Sequence, residues 1–110
     1  MRFIGISGSA ANRVALRVYD RTRTSVTARP VDLIDIHGAT IGSTTLRLQY
    51  RGVYEPGYAA IYDLAAAFPQ LANVDRYVVR VTPLSPGLEY WAMVSVTDID
   101  TQQVLLITAD

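Results

Sequence analysis

The sequence predicts an all-β fold made of two antiparallel sheets packed face to face, with a small barrel as the alternative. Three observations lead there. Apolar and polar residues alternate in one segment after another, helical spacing is nearly absent, and turn-forming residues recur between the alternating segments. The chain has 110 residues, half of them hydrophobic, enough for one core and hardly for two. Residues 1–110 are therefore expected to form a single sandwich domain.

Taken in order, residues 1–11 hold Phe3, Ile4 and Ile6 ahead of the first clear strand. This segment is read as an extending or exchanged N-terminal strand, with an ordinary first strand as the plainer reading. Val14, Leu16 and Val18 then alternate with Arg13, Ala15, Arg17 and Tyr19, giving one apolar face and one that carries arginine. A polar turn is expected over Asp20–Ser25. The second strand runs from about Val26 to Ile36 and changes phase, because Val31 and Leu33 share one face while Ile34 and Ile36 share the other; a bulge near Leu33 and Ile34 is expected. His37 and Gly38 supply a hairpin turn in which Gly38 takes a positive φ. The chain returns through Thr44, Leu46, Leu48 and Tyr50, with Thr45, Arg47, Gln49 and Arg51 facing the other way.

Pro56–Gly57 suits the centre of a type II turn, and Tyr58 to Tyr62 resumes an extended run. Over residues 63–68, Asp63 is placed to cap one short helical turn of strong helix formers that Pro69 helps to end. Tyr77, Val79 and Val81 alternate with Val78, Arg80 and Thr82, and the prolines of Pro83–Gly87 then turn the chain. The last hairpin runs from Leu88 to Thr97, turns through Asp98–Thr101, and returns over Gln102–Thr108. Seven strands result.

Ten basic and ten acidic side chains balance to zero net charge, so long-range attraction to nucleic acid or an anionic membrane is not expected. Cysteine is absent, which removes disulfides, zinc knots and thiol nucleophiles together. No apolar stretch approaches the roughly 20 residues that span a bilayer, and residues 1–11 fall short of a signal peptide. No membrane span is expected, and an exported form would have lost its signal.

Three segments, Asn12–Asp20, Gly57–Phe68 and Tyr90–Asp98, resemble in this order the immunoglobulin-like β-sandwich modules of bacterial secreted and surface proteins. The likeness covers about Asn12 to Ile107 and rests on strand and turn patterns, not on a catalytic signature. It implies an extracellular or cell-surface location and an accessory, adhesive or spacer role within a larger protein or assembly. The departure from those modules is a methionine start with no attached partner domain, read either as an excised piece or as a small subunit.

His37 is the sole histidine, and no serine–histidine–aspartate pattern can be laid around it; it reads as a turn residue. The acid pairs Asp32/Asp35 and Asp98/Asp100 invite calcium, but aspartate in hairpins more commonly serves the local backbone. Arg13, Arg17, Arg47 and Arg80 could form a nucleic-acid stripe, against which stands their pairing with aspartates across strands. Seven tyrosines and one tryptophan suggest a sugar-binding surface, with Tyr54 and Tyr58 flanking the Pro–Gly turn and Trp91 opposite in direction to Tyr90.

The function expected is that of a non-catalytic structural or interaction module of an exported bacterial protein or assembly, as an adhesive, spacer or fibre subunit, with self-association or the parent assembly as protein partner. Phe3, Ile4 and Ile6 are its candidate assembly residues. The alternative is a ligand-binding module, for carbohydrate or a protease, using Tyr54, Tyr58 and Trp91. No enzyme activity, cofactor or metal is expected.

Overall fold

The structure is a computed structural model that describes residues 1–20, 28–49, 57–82 and 90–109. The turn expected at Asp20–Ser25 beyond Asp20, the start of the second strand at Val26, the segment from Tyr50 through Tyr54 to Pro56, and the Pro83–Gly87 turn lie outside the described residues.

Two four-stranded antiparallel sheets form the fold. The strands are β1 (Arg2–Ser7), β2 (Asn12–Asp20), β3 (Ala28–Asp35), β4 (Thr40–Arg47), β5 (Gly57–Ile61), β6 (Arg76–Val81), β7 (Tyr90–Asp98) and β8 (Val104–Ile107). The first sheet has the order β1-β6-β3-β4 and the second β5-β2-β7-β8. Only β3–β4 and β7–β8 are hairpins; each remaining connection carries the chain from one sheet to the other.

Alternation places the core. Val14, Leu16 and Val18 of β2 and Val94 of β7 face Val31 and Leu33 of β3 and Tyr77, Val79 and Val81 of β6 across the sandwich, all buried. Burial drives the Tyr77 hydroxyl well above the usual tyrosine range, with the Asp63 charge adding to it. One end of the core is closed by α1 (Leu64–Ala67) and a 3-10 turn over Pro69–Asn73, which bury Leu64 and Leu71, with Phe68 buried between them. The Asp63 carboxylate caps α1 by accepting from the Ala65 and Ala66 amides at 3.1 and 3.3 Å. Replacing Asp63 with alanine strands those two donors and is expected to cost about 1 kcal/mol, read as a lower denaturant midpoint at unchanged slope.

The eighth strand is the N-terminal segment. β1 pairs with β6 of its own chain, Phe3 opposite Val79 and Ile6 opposite Tyr77, so three steps on β1 span two on β6. Gly5 takes up the extra residue at φ +73°, a conformation that side chains rarely adopt. The bulge turns both Phe3 and Ile6 inward, where they are almost fully buried, although an odd spacing would put them on opposite faces. Two of the three expected assembly residues are therefore core residues of their own domain. Ile4 alone points outward, beside Ile34, Ile36 and Val78 in a shallow groove of about 420 Å³ on the outer face of the first sheet.

The expected irregularity at Leu33 and Ile34 is present in the β3–β4 pairing, with the extra residue on β4: Leu33 lies opposite Gly42 and Ile34 opposite Thr40. Against β6 the strand β3 keeps a continuous register, and the change of phase in its sequence is simply Ile36 left 73% exposed. In the turn that follows, Gly38 has φ +87° and the Asp35 carboxylate accepts from the His37 and Ala39 amides, both at 2.9 Å.

Candidate functional site

The outer face of the second sheet gathers the aromatic side chains. On β2, alternation that sends Val14, Leu16 and Val18 inward sends Arg13, Ala15, Arg17 and Tyr19 outward. The register then decides their neighbours: Tyr19 stands opposite Tyr58 of β5 on one side and opposite Trp91 of β7 on the other. Ring centroids are 5.0 Å apart for Tyr19–Tyr58 and 4.9 Å for Tyr19–Trp91, matching the roughly 4.8 Å between neighbouring strands. Tyr19 and Trp91 are stacked with 24° between their planes. Trp91 is 57% exposed, with its indole stacked on Tyr19.

Polar groups frame this row. The Tyr58 and Tyr62 hydroxyls share a hydrogen bond of 2.8 Å. Desolvation first, and then the bond to Tyr62, hold the Tyr58 hydroxyl above the usual tyrosine range, so it stays neutral through physiological pH. Arg17 extends over Ala15 to Tyr62, its guanidinium carbon 5.4 Å from the ring centroid, and donates to the Ser95 hydroxyl at 3.2 Å. Ala15 and Ser95, outward by alternation, are buried.

A groove of about 510 Å³ adjoins the row, lined by Thr45, Arg47, Gln49, Tyr58, Ala60 and Tyr62 among others. It opens where the first sheet and β5 part company. Gln49 and Tyr58 exchange two backbone bonds of 2.9 Å, the one bridge there among the described residues. Since Tyr58 turns its N–H and C=O away from β2, the antiparallel alternation turns those of Ala60 the same way, toward the groove. The groove thus offers a guanidinium, a carboxamide, a hydroxyl and backbone groups beside an aromatic wall.

The structure brings Tyr58 and Trp91 into one array, with Tyr19 between them, and Tyr54 lies outside the described residues. Tyr19, Tyr62 and Ser95 join the array without having been singled out as binding residues, and Arg17, weighed above for a nucleic-acid stripe, joins it as well. The alternation of β2 already sets Tyr19 on the face with the arginines; what it lacks is the partner strand. The four arginines do not share a face, since Arg13 and Arg17 belong to the second sheet and Arg47 and Arg80 to the first. Arg80 pairs with Asp32, its direct neighbour across β3 and β6, at 2.9 Å.

Three of the four carboxylates considered for calcium, Asp32, Asp35 and Asp98, are engaged by neighbouring groups. Asp98 accepts from the Asp100 and Thr101 amides, and Asp35 serves its own turn. Among the described residues no three His, Cys, Asp or Glu side chains come together as a metal group, and no helix is long and apolar enough to cross a membrane. The Ser43 hydroxyl, donating at 2.7 Å, and then Arg80 hold the Asp32 carboxyl below the usual aspartate range. A lowered carboxyl pKa stabilises the fold above the ordinary value near 4 and loses that contribution as pH falls through the folded one. Wild type is expected to lose Tm faster than Asp32→Asn on acidification below about pH 4, the difference staying under roughly 1 kcal/mol because the pair is solvent-screened.

Comparison with family models, curated proteins and solved structures finds no match.

Proposed function

We propose that this domain is a non-catalytic interaction module that binds a carbohydrate chain on the outer face of its second sheet. The observation that carries the reading is the row Tyr58–Tyr19–Trp91 with an exposed indole at its end. A flat aromatic face of this kind matches the C–H face of a sugar ring, and the hydroxyls of that ring need the donors and acceptors that Tyr58, Tyr62, Arg47 and Gln49 bring within the adjoining groove. Zero net charge favours a neutral ligand over a polyanion.

The setting we propose is an exported bacterial protein or assembly, outside the cell or on its surface, in which the domain serves as an adhesive or spacer unit. The immunoglobulin-like reading is supported by two pairings of that fold, since β2 lies beside β5 and β3 beside β6. The flanking strands differ, with β1 next to β6 and β7 next to β2. A glycan array probed with wild type and Trp91→Ala tests the reading. Signal on at least one class of neutral glycan, lost in the variant, supports it; an array blank for the folded wild type refutes it.

A further inference from the structure

We propose that a second copy of this chain pairs with the free edge of β8, giving a two-fold dimer whose two second sheets join into one. Among the described residues β8 is the last strand of its sheet, and its successive residues Val104, Leu105 and Leu106 are 60%, 63% and 58% exposed. Consecutive strand residues point to opposite faces, so it is the edge itself that is apolar. From Thr101 to Ala109 the chain has no charged residue and no proline, and the β7–β8 pairing keeps an unbroken register. Charge, proline and a bulge, three usual protections of a sheet edge, are thus missing from β8, and its shortness is the one it keeps.

The backbone of that edge is ready for pairing. Asp98 N–H donates to the Gln103 carbonyl at 2.9 Å, which makes Asp98–Gln103 a hydrogen-bonded pair and, by alternation, Val96–Leu105 and Val94–Ile107 also. Val104 and Leu106 therefore turn their N–H and C=O groups outward.

The occupant that fits is the same strand, run antiparallel. About a two-fold axis through Leu105, Val104 meets the partner's Leu106 and Leu105 meets the partner's Leu105, so the three exposed apolar residues of each copy cover one another. The outward groups of Val104 bond with those of the partner's Leu106, and the reverse, four bonds in all by geometry. An uncharged edge offers nothing for a charged partner to match, and zero net charge removes repulsion between copies. The strip is short: the three paired residues reach roughly 10 Å, too little to bury the ~800 Å² per partner of a standard interface. The dimer is therefore weak and set by concentration. Its axis stands perpendicular to the sheet, so both aromatic rows face the same side and the pair can engage a repeating ligand twice; this consequence alone rests on the proposed function.

Sedimentation equilibrium from roughly ten micromolar to one millimolar is expected to show a mass rising from 12.1 kDa toward twice that value. Leu105→Lys keeps the monomer mass at unchanged Tm, its site being exposed, and Trp91→Ala associates as wild type does. In this cysteine-free chain Leu105→Cys, treated with oxidised glutathione as the two-electron acceptor, forms a covalent dimer, because a non-hydrogen-bonded pair sets the two Cα atoms about 4.5 Å apart, within disulfide reach. Ile99→Cys, in the exposed turn, does not. A wild type that stays at 12.1 kDa throughout, or a Leu105→Lys variant that associates like wild type, overturns the proposal.

Discussion

Trp91→Ala is expected to weaken carbohydrate binding at least tenfold, about 1.4 kcal/mol, while shifting stability by under ~1.5 kcal/mol. The asymmetry follows from where the indole sits. With 57% of Trp91 exposed, its removal opens no cavity in the core and forfeits, among the described residues, the stack on Tyr19. A ligand, by contrast, loses the exposed indole that nothing else in the array replaces. Titration calorimetry on wild type, Trp91→Ala and Ile36→Ala separates these effects. Ile36, exposed on the opposite sheet, serves as the control whose replacement leaves binding unchanged. Equal binding by wild type and both variants would exclude the outer face of the second sheet as the site.

Phe3→Ala carries the largest expected loss of stability, about 3 to 5 kcal/mol, seen as a Tm lower by roughly 10 °C or more. The ring is 1% exposed and sits in the core that both sheets share, so truncation leaves a cavity that the surrounding strands cannot close. Self-association offers the contrast. If Phe3 belonged to an assembly surface, its replacement would change mass and spare stability. Ile4→Ala, on the outer side of the same strand, is expected to do little to Tm.

The hairpins were the legible part of this fold because a tight turn imposes local chemistry. Gly38 at φ +87° and the Asp35 and Asp98 carboxylates each satisfy a requirement that two or three residues can meet alone. Asp63 signals its short helix in the same local way. Strand faces were also legible, since alternation needs no partner: β2 and β6 bury the residues their patterns mark. The bulge in β1 was not, because one residue added at Gly5 reverses every facing beyond it and nothing in Phe3–Ile6 counts that residue. Nor was the choice of sheet. Chain order cannot say that β2 lies between β5 and β7, and that arrangement alone makes Tyr19 the centre of an aromatic row. Tyr58 and Trp91 were visible as surface aromatics, whereas their connection through Tyr19 belongs to the register of strands remote in sequence.

The most direct test of the binding surface is a two-dimensional amide NMR titration of the folded domain with a neutral oligosaccharide identified on the array. The proposal predicts shift changes concentrated at Arg17, Tyr19, Tyr58, Ala60, Tyr62 and Trp91, with the Trp91 indole N–H among the most displaced. Changes centred on the first sheet, around Ile4, Ile34 and Ile36, or an indole N–H unmoved at saturation, would contradict it.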